Sequence, residues 1–260
     1  MLDYSFTYQD LEFFILVFVR VASFIFAAPF FNMTNTPGRV KVVFSMFFAS
    51  ILFHVLPKDY VIYETLGQYS VIVLKEVLTG LIIGMGANLV TLIVNFAGHV
   101  ADMETGLSMV TLMDPATRDS VTITGAYYNY TITLMMIISG MHRYLIEAFV
   151  ETYTLIPING AVFHANKLMN AMCSFMSDYI IIGFRICLPI FATMILLNAI
   201  LGILAKVSPQ MNMFAVGMQI KVLTGLGILF ITSSMMSGAA DFIYTQIRHM
   251  VVIMVEALQA

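Results

Sequence analysis

The sequence predicts an all-α, polytopic membrane-type protein of about six long helices. Three observations carry that prediction. Hydrophobic residues make up 60% of the chain and charged residues only 10%, where soluble domains carry about a quarter of charged residues. Mean hydropathy is +0.92. Several apolar runs approach or exceed the roughly 20 residues that cross a hydrocarbon core.

Taken in order, the first run is Leu11–Phe31. The second, Val42–Leu56, is short and reads as an incomplete span or as a helix packed inside a complex. Leu66–Phe96 is longer than lipid requires and should tilt or project from the membrane. Val121–Gly140, Tyr179–Ala205 and Phe214–Phe242 complete the set. Between the fourth and fifth runs, Tyr144–Thr154 has the pattern of an amphipathic helix ended by Pro157 and Gly160.

Loop charges give no orientation. Arg39, Lys41, Arg118 and Lys206 on one set of flanks balance Lys58, Arg143, Lys167 and Arg248 on the other, so the positive-inside rule is tied. A chain without that bias is one oriented or held by partners. Ionisable residues also interrupt the runs: Arg20, Lys75, Glu76, Arg185, Lys221 and Asp241. Each costs roughly 3 kcal/mol at the centre of a bilayer on insertion scales. Ion pairs with partner chains, local pairing or snorkelling, and a transport role all remain open for them. Lys75 and Glu76, although neighbours, point about 100° apart on a helix.

Several functions are excluded by composition and spacing. With a net charge of −3 and no basic cluster, nucleic-acid binding has no electrostatic footprint. The N-terminal stretch carries Asp3, Asp10 and Glu12 rather than the positive region of a cleavable signal peptide. Cys173 and Cys187 read as small buried apolar side chains. His99, Asp102 and Glu104 lack the three or four spaced ligands of a zinc site, so no metal and no cofactor is expected. Ser108 sits in no nucleophile elbow, Asp102 with Asp241 is weak support for an aspartyl protease, and no phosphate-binding loop occurs. The expectation is a protein that is not an enzyme.

The segment 97–115 stands apart. It is acidic and glycine-broken in its first half and apolar in its second. Non-helical backbone at membrane depth is tolerated only inside protein or along an aqueous cavity, so the segment marks a pathway. Methionine is abundant at 21 residues and tryptophan absent; Met103, Met109 and Met113 could form a deformable seal or simply fill space. Gly80, Gly84 and Gly86, and later Gly225 and Gly227, would let backbones approach closely, within this chain or against others.

Four stretches, in order, resemble the FliR/SpaR family of type III secretion. They are Arg20 with Ala28-Pro29 and Pro37-Gly38-Arg39-Val40-Lys41; Lys75-Glu76 with Gly80, Gly84 and Gly86; Ala97-Gly98 leading to Gly106-Leu107-Ser108-Met109 and Asp114-Pro115; and Leu188-Pro189, Asn198, Leu201-Gly202 and Ser208–Gly217. The last resembles the flagellar branch more than the injectisome branch. The resemblance implies a FliP-like half (1–140) followed by the remaining helices with a FliQ-like half (141–260). It also implies a helical, ring-like export-gate core built with FliP-like and FliQ-like subunits and raised toward the periplasmic side of the bacterial cell membrane. FlhB-like and FlhA-like components and unfolded flagellar proteins are the further partners implied. It assigns channel closure to the segment matching Gly106, Leu107, Ser108, Met109, Val110, Leu112, Met113, Asp114 and Pro115. On that reading Gly106 supplies backbone freedom, Pro115 sets the start of the next helix and Asp114 is placed to cap that helix or turn. Arg20, Lys75, Glu76, Arg185 and Lys221 become buried assembly charges, and Pro209, Gln210 and Asn212 a helix-hairpin turn. Two departures are visible: the sequence stops shortly after Arg248 without a long polar tail, and Asp102 and Glu104 make the approach to the loop unusually acidic. Whether they face a channel or a partner stays open. The alternative reading is a secondary transporter with 97–115 as a discontinuous binding element.

Overall fold

The computed structural model describes residues 7–32, 36–58, 60–109, 111–113, 120–208, 210 and 212–259. Among them the chain is helical almost throughout: α1 (Tyr8–Ala27), α2 (Gly38–Val55), α3 (Leu66–Thr105), α4 (Ile123–Ile138), α5 (Met141–Leu155), α6 (Ala165–Val207), α7 (Met213–Thr232) and α8 (Met236–Glu256). A single small hairpin interrupts this pattern, β1 (Thr111–Met113) pairing antiparallel with β2 (Ser120–Thr122).

Among the described residues, four stretches are long and apolar enough to cross a membrane: Gly38–Val55, Leu66–Thr105, Ala165–Val207 and Ala215–Glu256. Two of the six expected spans differ. The first run folds as α1 but carries Asp10, Glu12 and Arg20, and the fourth is a helix of only 16 residues. Conversely α3 has 40 residues and α6 has 43. At 1.5 Å per residue each is about 60 Å long, twice the ~30 Å of a hydrocarbon core. The last expected span, Phe214–Phe242, is divided by a 3-10 turn at Ser233–Met235 and continues as α8 to Glu256.

The helices group into two compact units interleaved along the chain. One draws on Met1–Leu89, Gly140–Phe175 and Gln246–Ala260, the other on Val90–Ser139 and Met176–Thr245. In the first, α1 is the core helix. Phe13, Leu16, Val17, Arg20, Val21 and Phe24 are buried, spaced by three and four residues so that they form one face. α2 runs antiparallel to it, with Phe53 6.0 Å from Phe13 at one end and Phe44 6.0 Å from Phe31 at the other. α3 runs parallel, with Gly80 against Arg20 and Ser23 and Gly84 against Phe24 and Ala27. α5 closes the face by stacking Phe149 on Phe24 at 4.1 Å.

A polar staple fixes the start of α1. Asp10 accepts hydrogen bonds from Lys58 Nζ at 2.7 Å, the Tyr60 hydroxyl at 2.9 Å and the Thr7 N–H at 3.0 Å. The Lys58 hydrogen bond, aided by Thr7 and Tyr60, pulls the Asp10 carboxyl down to about 2 from 3.8. Because the folded value lies below the unfolded one, the staple stabilises fully above pH ~4 and is lost as pH falls toward 2. Protease cleavage of the 56–65 connection should therefore rise across that window, and Asp10→Asn should show the acid-state cleavage already at pH 7.

Candidate functional site

α3 does not break where the acidic, glycine-containing stretch suggests. It continues through Gly98 and Asp102 and stops only at Thr105. Gly106 follows with φ +84°, a left-handed conformation that a side chain would strain. A 3-10 turn at Leu107–Met109 leads to β1, and β2 returns to α4 in the register Thr111↔Thr122, Leu112↔Val121, Met113↔Ser120. Val110, Asp114 and Pro115 lie outside the described residues.

α4 begins at Ile123, and the roles expected of Asp114 and Pro115 fall on residues outside those described. A cap for its first turn comes from the preceding helix. Asp102, fully buried, accepts the Thr124 N–H through Oδ2 at 2.7 Å and the Thr124 hydroxyl through Oδ1. A carboxylate at a helix N-terminus satisfies an otherwise orphaned donor and meets the positive end of the helix dipole. This answers how an acidic residue sits in so apolar a helix: it faces neither acyl chains nor solvent but the first turn of α4. The N-cap residue itself, Thr122, makes no side-chain capping bond, and its buried hydroxyl has no hydrogen-bond partner among the described residues.

Close backbone contact makes this possible. A Cβ on Gly98 would collide with the Gly125 Cα, lie 2.5 Å from the Gly125 nitrogen and 3.1 Å from the Thr124 carbonyl carbon. The two glycines bring α3 and α4 together where Asp102 reaches Thr124. His99 turns its Nδ1 to the Asn95 carbonyl at 2.7 Å, engaging its own helix. At the foot of the loop, Gly225 of α7 packs against the Thr105 side chain.

α6 and α7 form a helical hairpin around the turn that contains Gln210. A Cβ on Gly217 would lie 3.4 Å from the Leu201 Cδ1 and one on Gly225 3.4 Å from the Met194 Cε; both pairs are centred near residue 209, as an antiparallel pair requires. Asn212 accepts the Ala215 N–H at 3.4 Å as the N-cap of α7. Pro209 lies outside the described residues. Pro189 inside α6 removes the donor that the Arg185 carbonyl would otherwise use.

The charges divide into two groups. Arg20 and Glu76, both with side chains fully buried, form an ion pair through Nε and Oε2. Of the alternatives open in the sequence, pairing within the chain is what forms here. Arg20 Nη1 donates to the Ile156 carbonyl at 2.9 Å and Nη2 to that of Pro157 at 3.5 Å, while the guanidinium lies 4.6 Å from the Tyr153 ring centroid. Glu76 Oε1 accepts the Asn159 N–H at 2.8 Å. The pair thus pins the turn after α5, where Asn159 holds φ +65°. Lys75, its neighbour in sequence, is half-exposed. Arg185 is exposed, with its guanidinium 5.6 Å from the Phe242 ring; Lys221 is half-buried and Asp241 exposed. Sequence reasoning missed Thr124, Tyr153 and Asn159 as partners. Only Asn159-Gly160 carried a usable signal, since this dipeptide favours turns with positive φ.

The glycines also resolve. Gly80, Gly84 and Gly86 meet α1 and α8 of this same chain, and Gly225 meets Thr105, whereas Gly227 has nothing within 4 Å.

The profile described as bacterial export proteins, family 1, matches residues 11–247. Three relatives named flagellar biosynthetic protein FliR illustrate the breadth of the similarity. That of Bacillus subtilis is 29% identical over 85% of this chain and 86% of its own length. That of Aquifex aeolicus is 27% identical, with coverage of 88% and 90%. That of Escherichia coli is 23% identical, with coverage of 88% and 87%.

Proposed function

The chain belongs to the bacterial export proteins, family 1, and from that premise we propose that it is a core subunit of the flagellar type III export gate whose segment after α3 closes the channel. It is a membrane component of the flagellar export apparatus and works by assembly, not by catalysis. The relatives that match it along most of both chains carry the flagellar name. Its neighbours in the complex are FliP-like and FliQ-like subunits, with FlhB-like and FlhA-like components further out, and its cargo is unfolded flagellar protein. A FliP-like half to residue 140 and a FliQ-like part after it suit this assembly.

The observation that carries the closing role is the way α3 ends. A 40-residue helix stops at a left-handed glycine and hands over to a short hairpin whose return end is bonded back to α3. Gly106–Pro115 is then the seal, and Gly106 its hinge. Helices of about 60 Å suit a core raised above the membrane plane toward the periplasm better than one immersed in lipid. Exposed apolar residues along α6 and α7, such as Leu196, Ile203, Leu223 and Phe230, suit burial by partner chains, with Arg185 and Lys221 left to pair across those interfaces. The turn that contains Gln210 and Asn212 is the tip of the helical hairpin that presents them.

Deleting Gly106–Met113 tests the closing role. The assembled complex should then conduct small ions at rest, in planar bilayers or in cells, while its amount stays near wild type. Unchanged resting conductance in an intact complex would overturn the seal.

A further inference from the structure

We infer that the outer side of α5, together with that of α8 from Arg248 onward, is a wall that faces water in the assembled complex, covered neither by lipid nor by another subunit. On α5, Arg143, Glu147, Glu151 and Thr154 are exposed. They recur at intervals of four and three, which places them on one face of the helix. Met141, Leu145, Phe149 and Tyr153 are buried on the other side, where Phe149 stacks on Phe24 of α1. α8 repeats the pattern. Arg248, His249 and Glu256 are exposed, while Met254 turns to Gly86 of α3 and the Leu258 carbonyl accepts the Val162 N–H at 3.0 Å. The two charged faces are neighbours, because the Arg248 guanidinium lies 4.7 Å from the Tyr144 ring centroid.

This surface is unlike the other long helices. Among the described residues, α5 exposes one large apolar side chain, Leu155 at its end, and α8 one, Val252, whereas α6 exposes Phe184, Leu188, Leu196 and Ile203 among others. Charges in contact with acyl chains are costly. An amphipathic helix lying on a membrane buries its apolar face in lipid and turns Lys and Arg to the headgroups. Here the apolar face is already packed on α1, and across the wall two arginines stand against three glutamates. That balance gives no single-signed field to draw a charged partner, and the apolar centre of a subunit interface is missing. A mixed, patch-free face of this kind suits water. It follows that α8 from Arg248 onward lies outside the hydrocarbon, although it ends one of the four stretches long and apolar enough to span. The wet wall is independent of the closing role proposed above.

Thiol labelling of the assembled complex in its own membrane tests it. Cys173→Ser and Cys187→Ala remove the native thiols, and Glu147→Cys, Glu151→Cys and Glu256→Cys are introduced one at a time. A small charged thiosulfonate is applied from either side, to spheroplasts and to inside-out vesicles. From one side or the other, each cysteine should be modified about tenfold faster than Leu196→Cys on α6, because the reactive thiolate and the reagent both need water. Modification by a bulky polyethylene glycol maleimide as well places the wall on the outside of the complex; modification by the small reagent alone places it along an aqueous channel. Protection of Glu147→Cys and Glu151→Cys from the small reagent on both sides overturns the inference. Glu147→Gln combined with Glu151→Gln gives a second measurement. The amount of complex should stay within about twofold of wild type, the ordinary effect of exposed substitutions. A larger fall would mean that another chain covers the face, and the wet wall would be overturned by that result too.

Discussion

Glu76→Ala is expected to destabilise the unit built on α1 by about 3–5 kcal/mol, the range for removing one member of a buried ion pair. The substitution leaves the Arg20 guanidinium, fully buried, with only the Ile156 and Pro157 carbonyls and the Tyr153 ring for company. It also takes the acceptor from the Asn159 N–H in a turn whose left-handed residue already needs support. In cells the amount of assembled complex should fall by an order of magnitude or more, while those complexes that do form export at near the wild-type rate. The pair belongs to the unit built on α1 and the proposed closing segment to the other unit, which is why assembly and transport should separate. Equal amounts of complex in mutant and wild type would contradict the expectation.

A double replacement sharpens it. Arg20→Met with Glu76→Leu exchanges two charges for apolar groups of similar size, and such exchanges are commonly neutral or stabilising. The double variant should recover most of the assembly lost by Glu76→Ala. Arg20→Lys should fall between them, because an ammonium lacks the planar fork that reaches Glu76 and two carbonyls together. A double variant no better than the single one would show that the charges themselves, and not merely their mutual neutralisation, are required.

The sequence reveals where charge sits along a helix but not what it faces. Arg20 and Glu76 stand out as ionisable residues in apolar runs, yet they lie 56 positions apart and nothing in either neighbourhood names the other. Asp102 stands out similarly and suggests a break, since composition cannot show that Thr124 waits on the next helix. Gly98 was the same kind of trap: a glycine beside acidic residues reads as a helix breaker, whereas here it is the contact point that lets the helix continue. Hydropathy located α2 and the starts of α3 and α7 well, because their apolar character is continuous there, but it ended α3 at Phe96 instead of Thr105 and ran across the turn that ends α7 at Thr232. It lost the first turns of α6, where Asn166, Lys167, Asn170, Ser174 and Asp178 dilute the signal. It also made too much of α4, which is apolar enough to resemble a span but has only 16 residues, fewer than the roughly 20 a span needs. The family resemblance supplied what local reasoning could not, that the chain belongs to an export assembly.

Gly98→Ala is expected to be the most damaging single methyl in the second unit. The added Cβ would run into the Gly125 backbone and the Thr124 carbonyl carbon, and backbone cannot rotate aside as a side chain can. α4 must shift away from α3, at a cost of about 1–3 kcal/mol or more for overpacking a tight contact. The shift would lengthen the Asp102–Thr124 bonds and so loosen the neck of the closing segment. The variant should therefore leak at rest as well as assemble less, a combination that Glu76→Ala should not show. Gly227→Ala is the matched control. That glycine is also helical, but a Cβ there would meet nothing within 4 Å among the described residues, so within this chain the methyl costs no packing and gains about 1 kcal/mol of helix propensity. If Gly227→Ala nevertheless reduced the assembled complex, the open space beside α7 would be occupied by another chain approaching as closely as α4 approaches α3. If Gly98→Ala assembled and sealed like wild type, the contact between α3 and α4 would not be what holds the hairpin in place.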